Sequence, residues 1–195
     1  MINNNVLVVD DDNSVRTVLT TALSRAGFNV KTSGTASGLW RLIEVEKADV
    51  LITDVGLPDG DVLDILPKLN KQKPNLKIIV ISAKSTLITA VRAEKKGAYH
   101  YLPKPFDIDE VVDLVTKVIY SKKSNNNDIK EHLSNQQNSN FYDTGPVIGK
   151  SVIMQETYKL IARLVTSNLS VLITGETGTG KKLIARSIHD LSEKN

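Results

Sequence analysis

Asp54 is the residue whose position in this sequence most favours chemistry. It ends a run of apolar and β-branched residues that begins at Ala48, and Gly56 and Pro58 follow it. Buried strands of parallel sheets have this composition. A carboxylate at the end of such a strand can serve as a nucleophile or as a ligand for a cation. We therefore interpret Asp54 as the residue that receives a chemical signal.

Polar residues also end three other apolar runs. Asp10 and Asp11 follow the first run, Ser82 follows the fourth and Lys104 follows the fifth. In an open parallel sheet the carboxyl ends of the strands share one edge, and ligands bind there where the strand order reverses. The sequence therefore predicts that three carboxylates, a hydroxyl and an ammonium group converge around Asp54.

These groups are suited to phosphoryl transfer. Three close carboxylates repel one another unless a cation lies between them, and Mg²⁺ takes one or two carboxylates together with waters and phosphate oxygens. Mg²⁺ on one side and Lys104 on the other would neutralise a phosphoryl group on Asp54. Ser82 would donate a hydrogen bond to a third oxygen. Asp54 would then be the nucleophile.

Each of these residues also has a simpler interpretation. The run of three aspartates from Asp10 can be an ordinary helix N-terminus, where negative charge is favourable. A single Asp often ends a strand as a turn residue, Ser82 alone carries no information, and Lys104 can belong to a solvated loop. The joint placement of all of them at four strand ends favours the phosphoryl-transfer site.

A second candidate site lies near the end of the chain. The segment fits the phosphate-loop pattern GxxxxGK, whose backbone amides hold phosphates at a helix N-terminus. Its residues are Gly175, Glu176, Thr177, Gly178, Thr179, Gly180 and Lys181. Lys182 follows, in place of the Ser or Thr that usually binds Mg²⁺ in such loops. The pattern indicates ATP binding at most, and it does not indicate efficient hydrolysis.

Five apolar runs alternate with five helical patterns over residues 1–120. We predict strands at 5–9, 28–32, 49–53, 77–81 and 98–102, and helices at 13–26, 33–45, 62–69, 86–96 and 107–120. Such alternation is typical of a parallel sheet with helices on both faces. The predicted fold is α/β, a flavodoxin-like (βα)5 domain with strand order 2-1-3-4-5.

The rest of the chain divides into two segments, residues 121–145 and residues 146–195. Residues 121–145 are rich in Asn, Gln and Ser, which predicts a flexible linker, with a short helix near 128–133 as an open alternative. Residues 146–195 predict an incomplete α/β segment with a helix at 151–165, a strand at 170–174 and a helix at 183–191. One strand and two helices cannot close a sheet core, so we expect this segment to be marginally ordered.

The composition of the chain argues against several classes of protein. The chain has 195 residues, 41% of them hydrophobic and 24% charged, and it has no cysteine. Disulfides and thiolate metal sites are therefore excluded. No apolar run is long enough to span a membrane and no signal peptide is evident, so we expect a cytoplasmic protein. The net charge of +3 comes from residues 121–195 and does not indicate a nucleic-acid surface.

Residues 1–120 resemble the receiver domain of bacterial two-component response regulators. The segments VLVVDDD, ITDVGLP, VISA and YLPKPF carry the resemblance. It implies that Asp54 is the phospho-acceptor and that Asp10 and Asp11 form the acidic pair, with Asp11 a direct Mg²⁺ ligand. Asp12 would be a helix cap that points away.

The same resemblance assigns roles to five further residues. The carbonyl of Gly56 would be another Mg²⁺ ligand. Ser82 and Tyr101 would form a switch pair, in which the hydroxyl turns to the phosphoryl group and the ring follows. Lys104 and Pro105 are similar to the cis peptide that directs the lysine inward in this family.

Residues 146–195 resemble the opening of the AAA+ ATPase domain of sigma-54-dependent activators. The order of the two domains is that of the nitrogen-regulatory branch of these activators, and SGLWRLIE and KGAYHYLPKPFDIDE resemble its alphaproteobacterial form. The second acidic motif, the arginine finger, the sigma-54 contact loop and the helix-turn-helix would lie beyond Asn195. We therefore expect either a fragment or a truncated product, and no working ATPase.

The leading hypothesis is a response regulator that a sensor histidine kinase phosphorylates on Asp54 to control transcription. By resemblance it would form a homodimer through the receiver. Contacts with sigma-54 RNA polymerase and DNA are expected only in a full-length relative. Two alternatives remain: a truncated regulator that competes for phosphoryl groups or partners, and a weak nucleotide binder that uses Lys181.

Overall fold

The computed structural model describes residues 4–83, 86–121, 152–167 and 169–192. The strands are β1 (Asn5–Val9), β2 (Asn29–Ser33), β3 (Val50–Asp54), β4 (Gly56–Leu57), β5 (Gly60–Asp61), β6 (Lys77–Ser82) and β7 (His100–Pro103). The helices are α1 (Asn13–Arg25), α2 (Ala36–Val45), α3 (Val62–Gln72), α4 (Leu87–Lys95), α5 (Ile108–Ser121), α6 (Val152–Val165) and α7 (Lys181–Leu191).

Five of the strands form one parallel sheet in the order β2-β1-β3-β6-β7. The other two, β4 and β5, are a short antiparallel pair in the loop that follows Asp54. When only the strands of the large sheet are counted, the order is 2-1-3-4-5, which confirms the predicted flavodoxin-like topology. The order reverses between β1 and β3, so their carboxyl ends flank the crevice where such folds bind ligands.

Helices cover both faces of this sheet. Side chains alternate between the faces along each strand, so Leu7 and Val9 pack with α2, α3 and α4, while Val6 and Val8 pack with α1 and α5. Burial on both faces explains why the strands read as continuous apolar runs rather than as alternating ones.

Several boundaries differ from the predicted ones. α2 begins at Ala36 rather than at residue 33, because the Thr35 side chain accepts a hydrogen bond from the Gly38 N–H and caps the helix there. α3 continues through Pro67 to Gln72, beyond the predicted end at 69. β7 starts at His100, two residues after the predicted start.

The second part of the chain matches the prediction less well. α6 and α7 confirm the two predicted helices. The predicted strand at 170–174 is wrong: this run has no strand beside it anywhere in the described ranges. A strand needs a neighbour for its backbone N–H and C=O groups. The predicted linker and the helix near 128–133 lie outside the described residues. Among those described, no helix is both long and apolar enough to cross a membrane.

Candidate functional site

Asp54 is the last residue of β3 and lies at the centre of the sheet. β3 pairs with β1 on one side and with β6 on the other, and its Asp54 is 9% exposed. The Val55 N–H donates a hydrogen bond of 2.7 Å to Asp54 Oδ1. The carboxylate is thus held by its own following residue, and Oδ2 faces the remaining groups of the site.

Asp10, Asp11 and Asp54 form the acidic cluster that the strand ends predict. Asp10 follows β1 and is 1% exposed, whereas Asp11 is open to solvent. One carboxylate oxygen from each residue lies within 4.8 Å of the other two. An all-oxygen donor set of this size fits a hard divalent cation such as Mg²⁺.

Lys104 bridges two of these carboxylates. Its Nζ donates to Asp10 Oδ2 at 2.7 Å and to Asp54 Oδ2 at 3.1 Å. The Lys104 N–H also donates to the Ser82 carbonyl at 2.8 Å, and the bond from Lys104 to Pro105 is cis. Burial lowers the pKa of Lys104, but the hydrogen bonds with Asp10 and Asp54 outweigh it and leave the pKa raised. Lys104 is therefore a fixed cation beside Asp54.

Ser82 and Tyr101 lie on neighbouring strands next to Asp54. Ser82 ends β6 and is buried, and Tyr101 belongs to β7, which pairs with β6. Burial raises the pKa of Tyr101 to about 12, with Asp54 acting in the same direction, and a hydrogen bond with Ser82 partly offsets the rise. The Ser82 and Tyr101 hydroxyls are thus hydrogen-bonded to each other, and the negative charge of Asp54 acts on the Tyr101 hydroxyl.

Asp12 and Gly56 lie in the loops that follow β1 and β3. The Asp12 side chain accepts a hydrogen bond from the Ser14 N–H and caps α1, which confirms the predicted cap. Gly56 follows Asp54 by two residues and pairs with Asp61 in the short β4–β5 hairpin. A Mg²⁺ contact from the Gly56 carbonyl stays a prediction.

Two residues that support the site were missed by the sequence analysis. Asp59 at the tip of the hairpin accepts hydrogen bonds from the Ala36 and Ser37 N–H groups at 2.6 and 2.9 Å, and these bonds, that of Ser37 first, lower the pKa of Asp59. No local pattern reveals this contact, because the partners are far apart in sequence. Arg16 donates hydrogen bonds to the loop that carries the acidic pair.

The phosphate loop is a separate feature of the second part of the chain. Gly175, Gly178 and Gly180 have positive φ angles, and α7 begins at Lys181 directly after them. The Lys181 Nζ donates to the Gly175 carbonyl at 2.9 Å and also to the Glu176 carbonyl. The lysine amine therefore lies folded over the loop in which phosphates bind in GxxxxGK proteins.

Two segments of this chain match the models of known protein families. The family model of the response regulator receiver domain matches residues 6–116. The family model of the sigma-54 interaction domain matches residues 147–195. The first of these contains every residue of the acidic site, and the second contains the phosphate loop.

Curated relatives match nearly the whole chain. A DNA-binding transcriptional regulator NtrC from Bradyrhizobium sp. (strain RP501 Parasponia) is 44% identical over 189 residues, covering 97% of this chain and 38% of the relative. One from Azospirillum brasilense is 45% identical over 195 residues, with the same two coverages. The chain therefore spans well under half the length of these relatives.

Solved structures match the first part of the chain. A response regulator receiver domain protein from Methanospirillum hungatei JF-1 has a TM-score of 0.59 at 25% identity, covering 62% of this chain and 96% of that one. The beryllofluoride-activated NtrC4 receiver domain dimer has a TM-score of 0.58 at 31% identity, covering 60% and 98%.

Proposed function

Because the chain belongs to the response regulator family, whose receiver domain matches residues 6–116, we propose that Asp54 accepts a phosphoryl group as the input signal. The observation that carries this proposal is the convergence of Asp10, Asp11 and Lys104 on the buried Asp54 carboxylate. A buried carboxylate beside other carboxylates and one fixed ammonium group has no role in apolar packing. It is suited to accept a phosphoryl group, whose charge Lys104 and a bound cation would neutralise.

Receiver domains bind Mg²⁺ at such an acidic pocket, and we propose this ion for the present chain. Asp10, Asp11 and Asp54 would hold it together with the Gly56 carbonyl. The mutual distances of at most 4.8 Å between the carboxylate oxygens support this ligand set. When bound, the ion would neutralise charge on the oxygens of the incoming phosphoryl group.

The two carboxylate oxygens of Asp54 have different hydrogen-bond partners. Oδ1 is held by the Val55 N–H, while Oδ2 faces Lys104 at 3.1 Å. We propose that a carboxylate oxygen attacks the phosphorus atom of a phosphohistidine on a sensor histidine kinase. The O–P bond forms as the P–N bond breaks, and the leaving imidazole nitrogen keeps the electron pair. The product is an acyl phosphate on Asp54.

Lys104, Ser82 and Tyr101 would respond to the new charge. A phosphoryl group adds about −1.5 to −2 charge at neutral pH, so Lys104 would move its hydrogen bond from Asp54 Oδ2 to a phosphoryl oxygen. Ser82 would donate to another oxygen and thereby change its hydrogen bond with Tyr101. A repacked Tyr101 would then alter the surface formed by α4, β7 and α5.

Phosphorylation by a small-molecule donor tests this proposal directly. The full chain is incubated with acetyl phosphate and Mg²⁺, and incorporation is followed by intact-protein mass spectrometry. We expect wild type to gain one acid-labile phosphoryl group and Asp54→Asn to gain none, because an amide oxygen is a poor nucleophile. Asp64→Asn, which removes an exposed carboxylate of α3 paired with Lys96, should behave as wild type. Equal labelling of Asp54→Asn and wild type would contradict the assignment.

We propose the same domain division as the sequence analysis: a receiver at 1–120, a linker at 121–145 and the start of a sigma-54 interaction domain from 146. The names of the NtrC relatives support transcriptional control by a longer protein, with sigma-54 RNA polymerase and DNA as its partners. Resemblance to nitrogen-regulatory activators extends the proposal to nitrogen-responsive genes. The receiver dimer of NtrC4 supports homodimerisation.

For the phosphate loop we propose nucleotide binding without hydrolysis by the present chain. Lys181 and the backbone of residues 175–180 supply groups that can contact ATP phosphates. Lys182 stands where a hydroxyl would otherwise bind Mg²⁺, so the loop lacks one of the groups that hydrolysis uses.

A further inference from the structure

Arg16 makes an unusual set of hydrogen bonds beneath the acidic pair. Its Nη1 donates to the Asp10 carbonyl at 2.5 Å and to the Asp11 carbonyl at 3.0 Å, and its Nη2 donates to Asn13 Oδ1 at 3.1 Å. One planar guanidinium group thus holds two carbonyl oxygens of the loop between β1 and α1 and the side-chain oxygen of Asn13, the first residue of α1. A planar fork of this kind fixes geometry in a way that the point charge of a lysine cannot.

The neighbouring loop leaves room for this guanidinium. A Cβ atom on Gly34 would lie 3.1 Å from Arg16 Nη1, 3.5 Å from Arg16 Cζ and 3.7 Å from the Asp10 carbonyl oxygen. The φ angle of Gly34 is not in the left-handed region, so the backbone itself does not require a glycine here. The glycine instead provides space between the loop after β2 and the loop after β1.

The charge of Arg16 is unfavourable for the helix dipole. Arg16 lies in the opening turn of α1 (Asn13–Arg25), where a positive charge opposes the helix macrodipole. Its three hydrogen bonds all go to the preceding loop and to the first helical residue. The favourable contacts of this cation are therefore with the loop and with Asn13, not with the helix dipole.

The two carbonyl contacts constrain the conformation of Asp11. The Asp10 carbonyl belongs to the peptide plane before the Asp11 Cα atom, and the Asp11 carbonyl belongs to the plane after it. Fixing both planes fixes φ and ψ of Asp11, and hence the direction of its Cβ atom. Asp11 is the exposed member of the acidic cluster, so it is the carboxylate that gains most from a fixed backbone.

We propose that Arg16 is a positioning residue that preorganises Asp10 and Asp11 for a divalent cation. The inference rests on the proposed Mg²⁺ site and adds a residue that acts through the ligands' backbone. Outer contacts that orient metal ligands typically contribute 10- to 100-fold to metal affinity.

The direction in which Mg²⁺ affinity changes when Arg16 is replaced distinguishes a positioning role from a purely electrostatic one. Removing a cation from the loop that carries Asp10 and Asp11 should tighten Mg²⁺ binding if Arg16 acts only through its charge. If Arg16 positions the loop, the same removal should weaken binding, because Asp11 then has to be ordered when the ion binds. Arg16→Lys retains the charge but loses the planar fork, so a positioning role predicts weaker binding in this variant too.

The test is Mg²⁺ titration of the full chain by isothermal titration calorimetry, without any phosphodonor. We expect the dissociation constant to rise about 10- to 100-fold in Arg16→Ala and Arg16→Lys. Gly34→Ala, which pushes a methyl group toward the guanidinium, should shift it in the same direction. Arg25→Ala removes an arginine at the other end of α1 and should leave it unchanged. Thermal unfolding in EDTA checks that each variant is folded.

The Mg²⁺ dependence of the phosphorylation rate is a second test, because a residue that only stabilises the fold would not change it. The rate of phosphorylation by acetyl phosphate is measured against Mg²⁺ concentration. Arg16→Lys should raise the half-saturating Mg²⁺ concentration while the rate at saturating Mg²⁺ stays near that of wild type. Unchanged or tighter Mg²⁺ binding in Arg16→Ala and Arg16→Lys, with wild type binding normally, would overturn the inference. Failure of wild type itself to bind Mg²⁺ would overturn the metal site instead.

Discussion

The two phosphate-related sites of this chain show what a sheet adds to a set of reactive residues. The pocket at Asp54 lies at the ends of paired parallel strands, and its carboxylates and Lys104 hold one another across segments far apart in sequence. The loop at Lys181 follows the unpaired run at 170–174, where Leu172 is 88% exposed, and the hydrogen bonds of Lys181 within the described residues go to its own loop. Reactive residue types exist in both regions, but only the first has a scaffold that brings distant groups together.

The second region is attached to the first through α6 rather than through a shared sheet. One face of α6 (Val152–Val165) is buried in the same apolar cluster as residues of α4 and as Tyr101. The buried residues are Tyr158, Ile161, Ala162 and Val165. Two polar contacts flank this face: Lys159 with Glu110 of α5, and Arg163 with His100 of β7. We expect this attachment to be separable from the folding of the receiver.

The largest effect is expected from Tyr158→Ala. Tyr158 is fully buried between α6 and the receiver, and truncation of a buried aromatic side chain costs about 3–5 kcal/mol. We expect α6 to detach while the five-stranded sheet stays folded. Hydrogen exchange should then accelerate about 100-fold or more across residues 152–165, with protection in β1, β3 and β6 maintained.

Leu160→Ala is the matched control, because Leu160 lies on the same helix but is 58% exposed. It should leave exchange in α6 close to that of wild type. Equal loss of protection in α6 and in the sheet of Tyr158→Ala would mean that the two regions unfold as one unit. The contrast between a self-sufficient receiver and a dependent second region would then be wrong.

The sequence was most informative where a signal is local. Continuous apolar runs ending in Asp10, Asp54, Ser82 and Lys104 predicted the strands, their order and the convergence of these side chains, and the structure has them at one edge of the sheet. The run at 170–174 has the same composition but no partner strand within the described ranges, so composition alone misled there. A strand forms only beside another strand, and the composition of one segment does not show whether such a neighbour exists.

Contacts between loops were the part that the sequence could not predict. Asp59 caps α2 across a long separation, and Arg16 reaches backbone carbonyls, which no side-chain pattern records. A basic residue in the opening turn of α1 was the one available signal, because it opposes the helix dipole. The attachment of α6 to α4 was equally invisible, since an amphipathic helix indicates a buried face but not its partner.

A smaller effect is expected from lowering the pH, through His100 at the α6 contact. Burial lowers the pKa of His100 to about 4, and Lys159 and Arg163 act in the same direction while Glu110 opposes them. Arginine only donates, so His100 Nδ1 accepts the 3.2 Å hydrogen bond from Arg163 and the ring is neutral. Desolvation raises the pKa of nearby Glu94, and Arg163 opposes that rise.

The sign of the pH effect follows from the lowered pKa. An unfolded histidine takes up its proton near pH 6.5, whereas half-buried His100 resists protonation down to about pH 4. Relative to the unfolded chain, the neutral ring carries no penalty above pH 6.5, and the penalty grows as the pH falls toward 4, to about 2 kcal/mol at pH 5. Because His100 belongs to β7, which stays folded when α6 detaches, only a part of this penalty weakens the attachment of α6. We expect hydrogen exchange in α6, corrected for the intrinsic pH dependence, to show weaker attachment at pH 5 than at pH 7.

His100→Gln should flatten that pH dependence, because glutamine keeps an acceptor and does not titrate. His189→Gln, which alters a histidine of α7, should leave the wild-type dependence in place. If His100→Gln keeps the full difference between pH 5 and pH 7, another group controls the attachment. The two regions would then be joined by something other than the contacts around Arg163.

The smallest effect is expected at the ion pair between Glu110 and Lys159. The two groups are 3.2 Å apart, and the Glu110 side chain is half exposed. Ion pairs of this kind contribute about 0.2–1 kcal/mol and weaken as salt increases. Glu110→Gln should therefore raise exchange in α6 by a factor of about 5 or less, and the difference from wild type should shrink in 1 M NaCl.

A double-mutant cycle of Glu110→Gln and Lys159→Met isolates the pair from the general change in charge. Asp109→Asn is the matched control, since it removes the same charge from the adjacent, exposed position of α5. A coupling free energy above about 1 kcal/mol, or one that does not respond to salt, would show that polar contacts contribute as much as the buried face of α6. The apolar face around Tyr158 would then no longer explain why this helix binds the receiver.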